Sequence, residues 1–86
     1  MSHERSYTLT RHATEVLERR GIPLAWVEQV LFHPYRIEPD RQDPSLEHRL
    51  GPIAAFGNRT LRVVVNVKVN PIRVVTAYFD RRITLV

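Results

Sequence analysis

Between Arg11 and Arg20 the apolar residues Ala13, Val16 and Leu17 recur at three- and four-residue intervals, and the stem of Arg20 prolongs the stripe. The spacing predicts a short amphipathic helix over 11–20. Thr10 is placed to cap its start, and Gly21 to take the left-handed conformation that ends a helix. Ile22 supplies the apolar contact just past the stop. A second set, Leu24, Trp26, Val27, Val30 and Leu31, predicts another helix, with Pro23 in its first turn. His33-Pro34 ends it, because the residue before proline avoids helical dihedrals.

The period changes at Tyr35. Tyr35 to Glu38 reads as a short strand, and the aspartates and prolines of 39–44 as a loop. Glu47 to Leu50 reads as a second strand, continued by Ile53 to Phe56 after a break at Gly51-Pro52. Gly57-Asn58 signals a tight turn. Leu61 to Val69, dense in valine, is the clearest strand, and after Asn70-Pro71 Ile72 to Phe79 is its antiparallel partner. The expected fold class is α+β, in a single domain over 1–86. Two N-terminal helices pack on one face of an antiparallel sheet of about four strands. The tail, 81–86, reads either as a fifth strand or as an interaction segment that adds to another chain.

Alternation sorts the last hairpin. Leu61, Val63, Val65, Val67 and Val69 share one face with Val75, Ala77 and Phe79 as the core set. The opposite face then carries Arg62, Asn66, Lys68, Thr76, Tyr78 and Asp80. Cations, an amide, a hydroxyl and a phenol on one surface can bind phosphate and stack or hydrogen-bond a base. The same pattern also describes the polar outer face of any two-layer domain.

Charge sharpens this picture. Residues 1–40 hold five arginines against six acids, whereas 41–86 hold eight basic residues against three acids. The second half is therefore either the place for an anionic partner or a solvated basic surface that keeps the protein soluble. All the cations but Lys68 are arginines, whose planar fork suits phosphate and carboxylate. The chain has no cysteine, which excludes disulfides and cysteine catalysis. No apolar run approaches the ~20 residues of a membrane span, and the opening MSHERSYTL lacks a signal-peptide core. A cytoplasmic protein without a membrane partner is the simplest expectation.

Four histidines are present. His12 stands at the edge of the first helix's apolar stripe, where it serves either as a boundary residue or as a proton carrier near neutral pH. His3 falls in the N-terminal stretch, His33 at a helix end, and His48 on the face of its strand opposite Glu47 and Arg49. None has metal-ligand spacing, and there is no phosphate-binding glycine loop and no G-x-S-x-G.

The run His12-Ala13, Arg20-Gly21-Ile22, Val27, Val30-Leu31, Pro34, Leu61 to Val65 and Val75 to Tyr78 resembles an uncharacterised domain-of-unknown-function family. That family opens on H-A-x-x-R-x-x-x-R-G-I. It in turn resembles the RelE/ParE-like toxins of bacterial toxin–antitoxin pairs and similar small ribonucleases. The resemblance spans about Thr8 to Tyr78. It implies a metal-independent endoribonuclease of the mRNA interferase type, with no cofactor. RNA, such as ribosome-bound mRNA, and an antitoxin protein would be its partners. On this reading His12, Arg62 and Thr76 are catalytic, and Arg49 contacts substrate with Asn66, Lys68 and Tyr78. His12 would move the proton of the 2′-OH or the leaving oxygen, and the arginines would stabilise the charged phosphorane. Val16 stands where the motif often carries arginine: if that arginine binds phosphate, a contact is missing here, and if it is structural, Val16 enlarges the core. Two other readings stay open. One is a non-catalytic nucleic-acid- or protein-binding module on the same fold. The other is a structural or interaction protein working through its tail, Arg81 to Val86, whose apolar end Ile83 to Val86 would pair with a sheet edge of a partner or, as a homo-oligomer, of a second copy.

Overall fold

The computed structural model describes residues 6–86, so His3 lies outside the described residues. The elements run β1 (Tyr7–Leu9), α1 (Arg11–Arg20), α2 (Leu24–Phe32), β2 (Arg36–Pro39), β3 (Leu46–Ile53), a 3-10 turn (Ala54–Phe56), β4 (Arg59–Asn66) and β5 (Ile72–Phe79). The fold is α+β: two helices and a five-stranded sheet in the order β1-β5-β4-β3-β2. The fifth strand comes from the N-terminal lead-in rather than from the tail. Tyr7 to Leu9 pair in parallel with Ile72 to Val74.

The helical hairpin forms for local reasons. The Thr10 hydroxyl accepts from the Ala13 N–H at 3.0 Å, satisfying one of the orphan donors of the first turn. Gly21, at φ 64°, ends α1, and the Ile22 N–H returns to the Leu17 carbonyl at 2.9 Å. Only glycine adopts that backbone without strain. Pro23 stands just before α2 rather than inside its first turn, with extended dihedrals (φ −62°, ψ 138°).

β3 runs through Gly51-Pro52 without a break. Pairing with β2 stops at Leu50, opposite Arg36, so Pro52 sits where β3 has no neighbour on that side. A missing N–H costs little at such an edge. Gly51 lies beneath α2, where an added Cβ would come 3.1 Å from Val30 Cγ2. Glycine here is the condition for close helix–sheet packing.

Ala13, Leu17, Ile22, Val27, Val30 and Leu31 of the helical layer share one core with Ile53, Leu61, Val63, Val65, Val74 and Ala77. Each fully buried valine, leucine or isoleucine of this set contributes about 1.5–3 kcal/mol. Val74, not Val75, faces the core. A β-bulge sets Val64 opposite Thr76 but Val65 opposite Val74, so Val75 is the extra residue and the simple alternation fails across it. Val16 is also buried, at 2% exposure.

The tail forms no strand. It folds back on the sheet, with the Thr60 hydroxyl donating to the Ile83 carbonyl at 2.7 Å. No helix among the described residues is long and apolar enough to cross a membrane.

Candidate nucleic-acid interface

The sheet face turned away from the helices is not an open polar surface. Leu50, opposite Arg62 in the pairing of β3 with β4, is fully buried there, and Val64, Arg62 and Asp80 are buried too. Arg62, at 6% exposure, is the centre of an ionic chain. Its Nε and Nη2 both donate to Asp80 Oδ2, at 3.1 and 2.9 Å. Its Nη1 donates to Glu38 Oε1 at 3.3 Å and to His48 Nδ1 at 2.9 Å. His48 Nε2 lies 2.8 Å from Asp40 Oδ1.

The chemistry of these donors fixes the histidine. A guanidinium has no acceptor, so His48 Nδ1 must present its lone pair to Arg62. The proton is then on Nε2, donated to Asp40. Both ring nitrogens are engaged, which leaves His48 no free nitrogen for proton transfer. The charges of Arg62, Asp80 and Glu38 are likewise spent on one another.

The carboxylates respond to this setting. Arg82, through its side chain and backbone N–H, holds the Asp80 carboxyl well below the usual carboxylate range, with help from Arg62 and against the opposing effect of burial. Of the two arginines Arg62 is the buried one, so its attraction is the less screened by water. The hydrogen bond from His48, with the N–H groups of Asp43 and Gln42, lowers Asp40 to about 2.

The residues nominated from sequence are therefore dispersed. Arg62, Thr76 and Tyr78 share the outer face, with Thr76 opposite Val64 and Tyr78 opposite Arg62. Asn66 is at the far end of β4, where its side-chain oxygen accepts from the Lys68 N–H at 2.9 Å, and Lys68 lies in the turn beyond. Arg49 faces the helical layer. Its Nη1 donates to the Leu31 carbonyl in the last turn of α2, and its Nε to Glu47, both at 2.7 Å. His12 stands exposed in the first turn of α1, in the layer on the other side of the sheet from the side chains of Arg62 and Thr76. Among the described residues nothing is hydrogen-bonded or ion-paired to its side chain.

A second feature lies at one end of the sheet. A cleft of about 910 Å³ opens between the helical hairpin, the turn after β3 and the tail. Its wall is aromatic: Trp26 stacks on Phe56 at 5.8 Å between centroids, and Phe79 lies 4.9 Å from Phe56. Arg59 lies over the Phe56 ring, 4.5 Å from its centroid. Arg20 and Arg81 line the same cleft. Among the described residues none of these three arginines has a carboxylate partner.

The sequence holds the signal for this cleft. Phe56 and Arg59 flank Gly57-Asn58, and both turn residues take positive φ, 65° and 58°. Such a tight turn sets its flanking side chains against each other. Trp26 and Phe79 belong to the apolar pattern and carry no mark that separates a cleft wall from core.

Residues 9–79 match DUF4258, a domain of unknown function. The chain belongs to this family. No curated protein and no solved structure matches it. The description of DUF4258 assigns no activity.

Proposed function

We propose that this DUF4258 protein is a non-catalytic nucleic-acid-binding module, with RNA as its partner and the cleft as its contact surface. The observation that carries this reading is the state of Arg59. Its guanidinium lies over Phe56, 4.5 Å from the ring centroid, and among the described residues no carboxylate pairs with it. Arg20 and Arg81 add two more cations to the same cleft, neither with a carboxylate partner among the described residues. Guanidinium groups without a carboxylate partner are what phosphate recognition uses. Arg62, by contrast, has its donors committed to Asp80, Glu38 and His48.

The catalytic alternative, a toxin-like metal-independent endoribonuclease with an antitoxin partner, draws on one observation of its own. His12 is exposed and, among the described residues, has no hydrogen-bond partner, which leaves its ring able to carry a proton. The binding reading is preferred because it uses groups that already share one surface.

The test is binding of a fluorescently labelled RNA followed by anisotropy over a range of salt concentrations, with gel analysis of the same RNA. The reading expects affinity that falls steeply with salt, intact RNA, and a shallower salt slope in the Arg59→Ala/Arg81→Ala variant. Absence of binding at low salt overturns it. Cleavage that disappears in the His12→Ala form transfers the assignment to the endoribonuclease.

A further inference from the structure

We infer that the cleft selects single-stranded over double-stranded RNA, by seating one unstacked base against the Phe56–Arg59 wall. This rests on the RNA-binding reading above and adds the strand state of the partner. Phe56 remains 39% exposed although it is a large apolar ring beside Trp26 and Phe79. The guanidinium of Arg59 lies over that ring, 4.5 Å from its centroid, so ring and guanidinium stand together at the cleft wall. Aromatic rings and guanidinium planes are both stacking partners for unpaired bases.

Charge complementarity names the occupant. An apolar wall alone would suit many ligands, but this one is flanked by Arg20 and Arg81, neither of them paired with a carboxylate among the described residues. The ligand must combine a flat π-face with negative charge close to it, which describes a nucleotide within a strand. The volume of about 910 Å³ accommodates such a unit. In an A-form duplex the base faces are covered by their neighbours, so only phosphates and sugar hydroxyls would reach the arginines. Asn58, in the turn at the rim, supplies an amide within the same cleft for the edge of the base.

The chain has one tryptophan, Trp26, and it belongs to the wall, which gives a direct reporter. The experiment titrates the full chain with an adenine-rich single-stranded RNA and with the duplex formed from the same strand and its complement. Trp26 emission and anisotropy are recorded together. The single strand is expected to change Trp26 emission and to bind about tenfold more tightly than the duplex, the order of one stacked base. Phe56→Leu should remove most of that preference while keeping the salt dependence. Arg59→Lys, which keeps the charge and loses the plane, should do the same and serves as the second variant if the first fails to fold. Equal affinity for both forms with unchanged Trp26 emission overturns this inference and leaves RNA binding standing. Failure of either RNA to bind overturns the binding reading and this inference with it.

Discussion

Arg62 and Asp80 form a buried pair in which two guanidinium donors meet a single carboxylate oxygen at 2.9 and 3.1 Å. The pair joins β4 to the end of β5, and through Glu38 and His48 it reaches the edge strand β2. Removing Arg62 takes the buried partner from Asp80 and leaves the exposed Arg82 as its remaining cation among the described residues. Arg62→Ala is therefore expected to lower stability by about 3 kcal/mol in urea denaturation at neutral pH. RNA affinity of the folded fraction should stay unchanged. A variant that is stable yet has lost RNA affinity would make Arg62 a ligand contact and refute the structural role.

The same network sets the acid limit of the fold. The folded state holds Asp80 and Asp40 below their ordinary carboxylate values, so both keep their charge to lower pH than they would in the unfolded chain. The stability they contribute is present above the unfolded value near 4 and is lost as pH falls through the window toward 2. Thermal melts across that window should show a steep fall, and Asp40→Asn should flatten it. At the alkaline end the sign reverses. Burial and the Tyr7 hydroxyl's hydrogen bond to Glu28, at 2.6 Å, raise the phenol to about 12. The protonated form is favoured in the fold, so that contribution is lost as pH rises from 10 toward 12. A melting temperature that does not change between pH 4 and 2 would contradict the acid arm.

Much of this architecture is legible in the sequence. Thr10 and Gly21 bound α1 because capping is local chemistry, and the valine run marks β4 because a buried strand is apolar throughout. What escapes is non-local. The bulge at Val75 shifts one strand by one residue and turns Val74 inward. The parallel pairing of Tyr7 to Leu9 with Ile72 to Val74 joins segments at opposite ends of the chain. The site follows the same division. Phe56 and Arg59 are neighbours across a tight turn and so could have been read together. That Asp80, Glu38 and His48 consume the donors of Arg62 depends on three separate stretches meeting on one face.

Arg49 offers a test of a side chain that resembles a substrate contact by residue type alone. Its guanidinium holds the Leu31 carbonyl, one of the acceptors left over at the end of α2, and pairs with Glu47. Arg49→Ala is expected to cost about 2 kcal/mol, the range for a hydrogen bond from a charged donor. Arg49→Lys should recover only part of this, because lysine lacks the fork that serves both partners. RNA affinity should match the native chain in both variants. A loss of affinity without loss of stability would place Arg49 at the ligand instead.

His12 separates binding from catalysis most cleanly, because its exposure makes it dispensable to the fold. Nothing is hydrogen-bonded to its ring among the described residues, and the cap of α1 is supplied by Thr10. His12→Ala should therefore change stability by no more than about 0.5 kcal/mol, as surface substitutions do. It should leave RNA affinity intact, since the cationic cleft is built from Arg20, Arg59 and Arg81. A general base worth the usual ~10²–10⁴-fold in rate would show itself differently. RNA cleavage by the native chain would fall by that factor in the variant while affinity and melting temperature stayed constant. Incubating both forms with RNA at matched concentration therefore decides between the two readings. Intact RNA in both supports the binding module, and cleavage confined to the native chain assigns His12 the proton transfer.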